Sequence, residues 1–411
     1  MPTETESNTT AATSDAPHVP TSVRALYSDE LALQLSTLRR DLHRNPELSW
    51  KEQRTADLLA ATLAGFGVTD VKRVARTGLV ARVPGRDRSA PVVALRGDID
   101  ALPIQEDTGL SFASVNPGVM HACGHDVHAT WAIAATRLLL NSPAHGDVLV
   151  VFQPAEEVGE GARGILESGA LDSVRAIFGG HVDRRFEVGQ VVAQAGALAA
   201  STDTFRITIT GAGSHGARPH ESADPIVGAA ALIGALQTIV SRRLDPAKPG
   251  VVTVGTINAG TAANIIPDSV QLSGTIRATT IDARALLTGE VRRISDAIAT
   301  AYGLRATITL SGGTPPIVNP EITVNWAREA VTHVLGADAL MPLGTTNMGG
   351  EDFAEYMQKI PGCFMRIGAR ESGGRVIGAH SPSYYAAEDA LFIGAAVLAE
   401  SARVASAALG E

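Results

Sequence analysis

Three short apolar runs, residues 92–95, 148–152 and 177–178, constrain this chain more than anything else in it. Each is bounded by turn residues, and long stretches of helical periodicity such as 127–140 lie between them. Strands of a parallel sheet covered on both faces are continuously apolar rather than alternating, and they need helical crossovers. The pattern predicts an α/β fold whose mixed, mostly parallel sheet is flanked by helices. Helical spacing through 31–48 and 55–67 supplies further covering helices. Every run then opens into polar residues: Arg96-Gly97-Asp98-Ile99-Asp100, Gln153-Pro154-Ala155-Glu156-Glu157 and Gly179-Gly180-His181. In open α/β sheets ligands collect beyond the carboxyl ends of the strands, so these tips and the loop around Cys123 and His125 are expected to share one crevice.

From about Gly196 to Gly312 the texture changes. Phe205, Ile207 and Ile209 alternate with polar residues, as in a strand with one wet face. Asp224-Pro225 supplies an N-cap and a first-turn proline for a helix reaching about Arg243. Residues 251–257 and 270–276 read as strands, Asp282 as the cap of a helix to about Tyr302, and 306–310 as a last short strand. The order β-α-β-β-α-β predicts a two-layer domain over 196–311, inserted into a catalytic domain made of 21–195 and 312–411. Residues 1–20, rich in Thr, Ser and Pro without a basic start or an apolar run, read as a disordered tail and not as a secretory signal.

A chain of 411 residues exceeds one ordinary core and agrees with two domains. Its net charge of −9 argues against nucleic acid or an anionic membrane as partner, since both demand a basic footprint, and favours a small molecule. No run of about 18 uninterrupted apolar residues is present, which speaks against a membrane span. Two cysteines, Cys123 and Cys363, make no disulfide framework, so a reducing, cytoplasmic setting is expected.

The chemistry concentrates in His121-Ala122-Cys123-Gly124-His125-Asp126-Val127-His128, in a chain with only 11 His and 2 Cys. Thiolate and imidazole together suit zinc and its neighbours. Glu156-Glu157 follows a buried strand, and adjacent carboxylates there point apart: one can bind metal while the other handles protons. His181 and His380 follow apolar runs with Gly or Ala beside them, leaving room for an ion. Cys123, His125, Glu157, His181 and His380 offer five ligands, more than one tetrahedral ion with an open position takes, so two divalent ions, zinc or manganese, are expected.

The segments LRGDIDALPI, HACGHDVHAT, FQPAEE, GGHV, GSHGARPHESADPI, ANIIPDSVQLSGTIR, GGEDF and AHSPSYYAAEDAL run in order from about Leu38 to about Ile393. The chain resembles the metal-dependent amidohydrolase branch of the aminoacylase/carboxypeptidase peptidase family, which includes hippurate, indoleacetyl-amino-acid and N-acyl-amino-acid hydrolases. The resemblance implies that Cys123, His125, Glu157, His181 and His380 are metal ligands and Glu156 the general base. It also implies that 196–311 is a lid and dimerisation domain of a homodimer. There His215 would reach the partner subunit's active site to hold the oxyanion, and Asn264 and Arg277 would bind substrate. The broader family has His where this chain has Asp98, so Asp98 is not counted as a ligand, whereas Asp100 is expected to orient one from behind. His380 follows Ala379 where relatives often carry Asn, and His220 receives no role. The expected reaction is cleavage of the amide of an N-acyl- or N-aroyl-amino acid. A dipeptidase or carboxypeptidase on the same scaffold is the nearest rival, and a catalytically inert metal-binding sensor the more distant one.

Overall fold

The structure is a computed structural model and describes residues 19–410; the tail expected over 1–20 lies almost entirely outside them. A seven-stranded sheet forms the centre, in the order Val71–Val74, Gly78–Val83, Val148–Gln153, Val92–Asp98, Val174–Glu187, Gly362–Arg370, Val191–Val192. The four strands from Val148–Gln153 to Gly362–Arg370 run parallel, and an antiparallel hairpin closes one edge. The third apolar run is the middle of a strand of 14 residues, longer than its two apolar residues indicate.

Alternate residues of the central strand enter opposite cores. Val93 and Leu95 pack with Trp131, Ile133 and Leu391 beneath the helices His125–Asn141 and Ala390–Gly410, while Ala94 joins Leu149, Val151, Ile177 and Phe353 on the other face. These strands are buried on both sides, which is why their sequences do not alternate. A second, four-stranded antiparallel sheet has the order Gly250–Ala259, Ser269–Ala278, Asp203–Thr210, Arg305–Gly312. Here alternation does appear, with Phe205, Ile207 and Ile209 buried against Leu232, Leu236 and Leu287 of the helices Pro225–Thr238 and Ile281–Ala301. Asp224 caps the first of these helices as expected. The second is capped by the Thr280 hydroxyl, which accepts from Ala283 N–H at 3.2 Å; Asp282 sits in the first turn, where its charge meets the positive helix end.

Two helices, Pro225–Arg243 and Ala390–Gly410, are long and apolar enough to cross a membrane by composition, although an uninterrupted apolar run finds neither. The second is a core helix, with 78% of its apolar window buried. The first packs Leu232 and Leu236 on its sheet and leaves Ile226 and Val227 exposed.

Gly97 sets how closely the helix bearing His125 approaches the sheet: a Cβ there would lie 2.4 Å from the His128 carbonyl oxygen. Gly97→Ala should therefore cost about 1–3 kcal/mol by overpacking, read as a lower urea midpoint. Gly65→Ala, at a helix end with nothing within 4 Å, is the control and should not lower it.

Candidate metal centre

The carboxyl ends of three parallel strands and the start of one helix meet in a cleft of about 910 Å³ lined by Cys123, Glu156, Glu157, His181, Arg277 and His380 among others. Gly124 makes the turn that presents the first ligands. Its φ of +87 begins the helix His125–Asn141, and a Cβ there would lie 2.5 Å from the Val182 side chain. Cys123 and His125 thus flank a residue that only glycine serves without strain.

The imidazoles are set from behind. His125 Nδ1 donates to the Asp100 carbonyl at 2.9 Å and lies 3.2 Å from its carboxylate, which leaves Nε2 buried and unpartnered. His181 Nδ1 donates to the Val182 carbonyl at 2.7 Å, and its Nε2 lies 3.1 Å from Cys123 Sγ. His125 Nε2 is 3.8 Å from Glu157 Oε1, another buried atom without a partner, and His380 Nε2 is 3.3 Å from Glu157 Oε2. Orphaned donor atoms facing one another, with their far sides already bonded, are what a cation site requires. Burial first and Glu157 second push the Cys123 thiol up to about 12, so a thiolate forms there only against positive charge. The donors fit divalent metal ions.

His380 has φ +66, a strained conformation for histidine, and its N–H donates to the Ala122 carbonyl at 2.8 Å. That bond ties its loop to the Cys123 loop without help from residue 379.

Asp100 holds two of these groups at once. Its Oδ2 accepts from Glu157 N–H at 3.0 Å and from the Ser49 hydroxyl at 2.7 Å, while Oδ1 faces His125. Glu156 lies 4.0 Å from His125 Nε2 and points toward Glu351 and Asp352, with which it forms a cluster of carboxylates. Burial, then Glu351 and Glu157, push it well above its usual range.

Asp98 bonds Arg96 at 2.5 Å and His128 Nδ1 at 2.6 Å, and its Oδ2 stands 3.6 Å from His125 Nε2. His128 accepts from Val182 N–H on Nε2 and stacks on Trp131, so both its nitrogens are used. His121 is buried with both nitrogens unpartnered, and burial takes it down to about 4.

Of the residues expected from the second sheet, only Arg277 reaches this cleft. His215 and Asn264 are exposed and adjacent to each other, on a two-stranded ladder that pairs His215 with Ile265. His220 is exposed beside Glu221 and meets no group of the cleft. Sequence reasoning assigned nothing to Arg96, Glu351, Asp352 or Glu52, which brace the site. Arg96 lies in LRGDIDALPI and Glu351 and Asp352 in GGEDF, two of the segments that carry the resemblance, but nothing in the sequence joined them, and Glu52 carried no signal.

The family model for Peptidase family M20/M25/M40 matches residues 94–403. An N-acetylcysteine deacetylase of Bacillus subtilis (strain 168) is 40% identical over 372 residues, 89% of this chain and 95% of that protein. The Arabidopsis thaliana protein IAA-amino acid hydrolase ILR1-like 2 is 38% identical over 371 residues, 89% of this chain and 83% of the other. The crystal structure of a dinuclear metal-binding M20 peptidase from Bacillus subtilis superposes with a TM-score of 0.81 at 35% identity, covering 93% of this chain and 99% of that one. Fold, facing donor atoms and relatives agree, and the chain belongs to peptidase family M20/M25/M40 as a metal-dependent hydrolase of amide bonds.

Proposed function

We propose that this protein hydrolyses N-acyl- or N-aroyl-amino acids to a carboxylic acid and a free amino acid, using two zinc or manganese ions held by Cys123, His125, Glu157, His181 and His380. The observation that carries the reading is the convergence of these five donors beside Glu156, a carboxylate held by no hydrogen bond from the described residues. When bound, the ions supply Lewis acidity for the acyl carbonyl and lower the pKa of water. Glu156 takes the proton of the attacking water and returns it to the departing nitrogen. Asp100 fixes the angle between His125 and Glu157 through its two oxygens. Arg277, half-buried and bonded only to Thr275 Oγ1 and the Ile276 carbonyl, keeps part of its fork free for the amino-acid α-carboxylate.

The donor for the oxyanion is His215 of a second copy. His215 Nδ1 accepts from Ala217 N–H at 3.1 Å, so Nε2 carries the proton of the neutral ring and can donate. It is exposed and outside its own chain's cleft, with Asn264 beside it, as a residue serving a neighbour would be. In this reading 196–311 acts as lid and dimerisation domain and the enzyme works as a homodimer in the cytoplasm.

The adjacent carboxylates test the roles against each other. Glu156→Gln should keep its metal and lose a factor on the order of 10² to 10⁴ in kcat, the usual worth of a positioned base. Glu157→Gln should lose metal, measured as ions per chain after gel filtration; the opposite pattern reverses the assignment.

A mixed dimer tests the shared site. Homodimers of His215→Ala and of Glu156→Gln should both be nearly inactive. A heterodimer of the two, purified through two tags, has one complete site and should recover up to about half of the normal rate. A rate no greater than the sum of the separate variants would mean that His215 does not act across the interface.

A further inference from the structure

Buried arginines here are spent on carboxylates. Arg96 is ringed by Asp98, Glu351 and Asp352, Arg39 holds Asp126 at 2.8 Å, and Arg184 holds Glu371 at 2.9 Å. Arg366 departs from that rule. It stands on the strand Gly362–Arg370, in register with His181 on the parallel neighbour, lines the same cleft, and is only 5% exposed. Among the described residues it has no carboxylate at ion-pair distance and no hydrogen-bond acceptor; its Nε is sealed from solvent without a partner. Its aromatic neighbour is Phe364, whose ring centroid lies 5.7 Å from the guanidinium carbon.

A guanidinium cannot shed its proton, and this one stands in the wall of the cleft with no carboxylate of its own, so the missing counter-charge is to be sought in what enters the cleft. The other cations of the cleft do not need one. Arg163 pairs with Glu355, Arg184 with Glu371 and Arg185 with Asp183. Among the described residues only Arg277 shares the lack of a carboxylate at ion-pair distance, and the proposed function assigns it the substrate's α-carboxylate. One carboxylate cannot account for two uncompensated forks rising from different sheets, Arg277 on Ser269–Ala278 and Arg366 on Gly362–Arg370.

We infer that Arg366 is the binding residue for a second carboxylate of the substrate. The preferred substrates are therefore N-acyl-amino acids with two carboxylates, the second carried either at the far end of the acyl chain or on the amino-acid side chain. The inference rests on the amidohydrolase reading above and narrows it to a substrate class.

The test compares kcat/KM for N-acetyl-alanine, N-succinyl-alanine and N-acetyl-glutamate in the wild-type holoenzyme, Arg366→Met and Arg366→Lys. One of the two dicarboxylates should be preferred over N-acetyl-alanine by about 10- to 100-fold, the scale of a hydrogen bond between charged groups. Which one is preferred locates the second carboxylate on the acyl or the amino-acid side. The preference should vanish in Arg366→Met, chiefly through KM, and return in part in Arg366→Lys. Calorimetric binding of the same three compounds to Glu156→Gln, with and without Arg366→Met, gives the ranking without turnover. Ligand-free Arg366→Met should melt no lower than wild type, because the substitution breaks no ion pair or hydrogen bond among the described residues. No preference for either dicarboxylate, or one that survives Arg366→Met in both turnover and binding, overturns the subsite. Failure of the wild-type enzyme to hydrolyse any of the three compounds would instead count against the amidohydrolase reading, and the binding arm would still decide the subsite.

Discussion

The Arg96 guanidinium, fully buried, joins the parts of the protein that must stay in register for the site to exist. Its Nε donates to Gln153 at 2.8 Å, one terminal nitrogen to Asp98 at 2.5 Å, and the other to Glu351 at 2.9 Å and Asp352 at 3.1 Å. The ends of two parallel strands and the start of the helix Phe353–Met357 are thereby pinned to one planar group. Asp352 passes the constraint on, accepting from Gln153 Nε2 and from Ala162 N–H, at the far end of the loop that carries Glu156 and Glu157. Glu52 holds the near end by accepting from Ala155 N–H at 2.9 Å, where the backbone has φ +52. A fixed loop is what allows two neighbouring carboxylates to keep different surroundings. The arrangement is costly in charge, since three carboxylates face one guanidinium, and burial pushes Asp352 up to about 8. Removing Arg96 alone would leave buried negative charge uncompensated, which is worse than never having built the cluster.

That rigidity explains how Glu156 and Glu157 diverge. Glu157 has its N–H on Asp100 and its oxygens toward His125 and His380. Glu156 turns to the acidic side, toward Glu351, where negative neighbours oppose its ionisation. Under the proposed function, such surroundings serve a group that must accept a proton and give it back, whereas they would not serve a permanent ligand.

How much of this could be read from the sequence depended on distance along the chain. The parallel strands and the Cys123/His125 pair were legible because their cause is local, in unbroken apolar runs and in a density of soft ligands that ordinary cores do not show. The same density did not sort the imidazoles. His121, His125 and His128 share one motif, yet of the three only His125 sets a free nitrogen beside Glu156 and Glu157, because Asp98 and Val182 consume His128 while His121 is buried. The Arg96–Glu351 bond joins residues 255 positions apart, and nothing near either residue announces the other. Thr280 against Asp282 is a smaller case: both residue types cap helices, and only the geometry of the turn decides which does.

Arg277 and Arg366 stand on strands of different sheets, so under the proposed function a substrate that touches both is held by groups from separate layers. The chain crosses between the layers twice, at 200–203 and at 312–314, and the crossings lie side by side. Thr202 N–H donates to the Thr314 carbonyl at 3.0 Å, and their hydroxyls are 2.9 Å apart. Arg284 bridges Asp203 at 2.7 Å and the Gly313 carbonyl at 2.9 Å. Space for this is made by Gly313, where a Cβ would fall 1.7 Å from the Thr202 carbonyl oxygen. Two strands bonded to each other resist independent bending. The separation between Arg277 and the facing donor atoms is therefore fixed by one paired crossing rather than by two loose linkers, and under the proposed function the length of substrate that spans the cleft is set there.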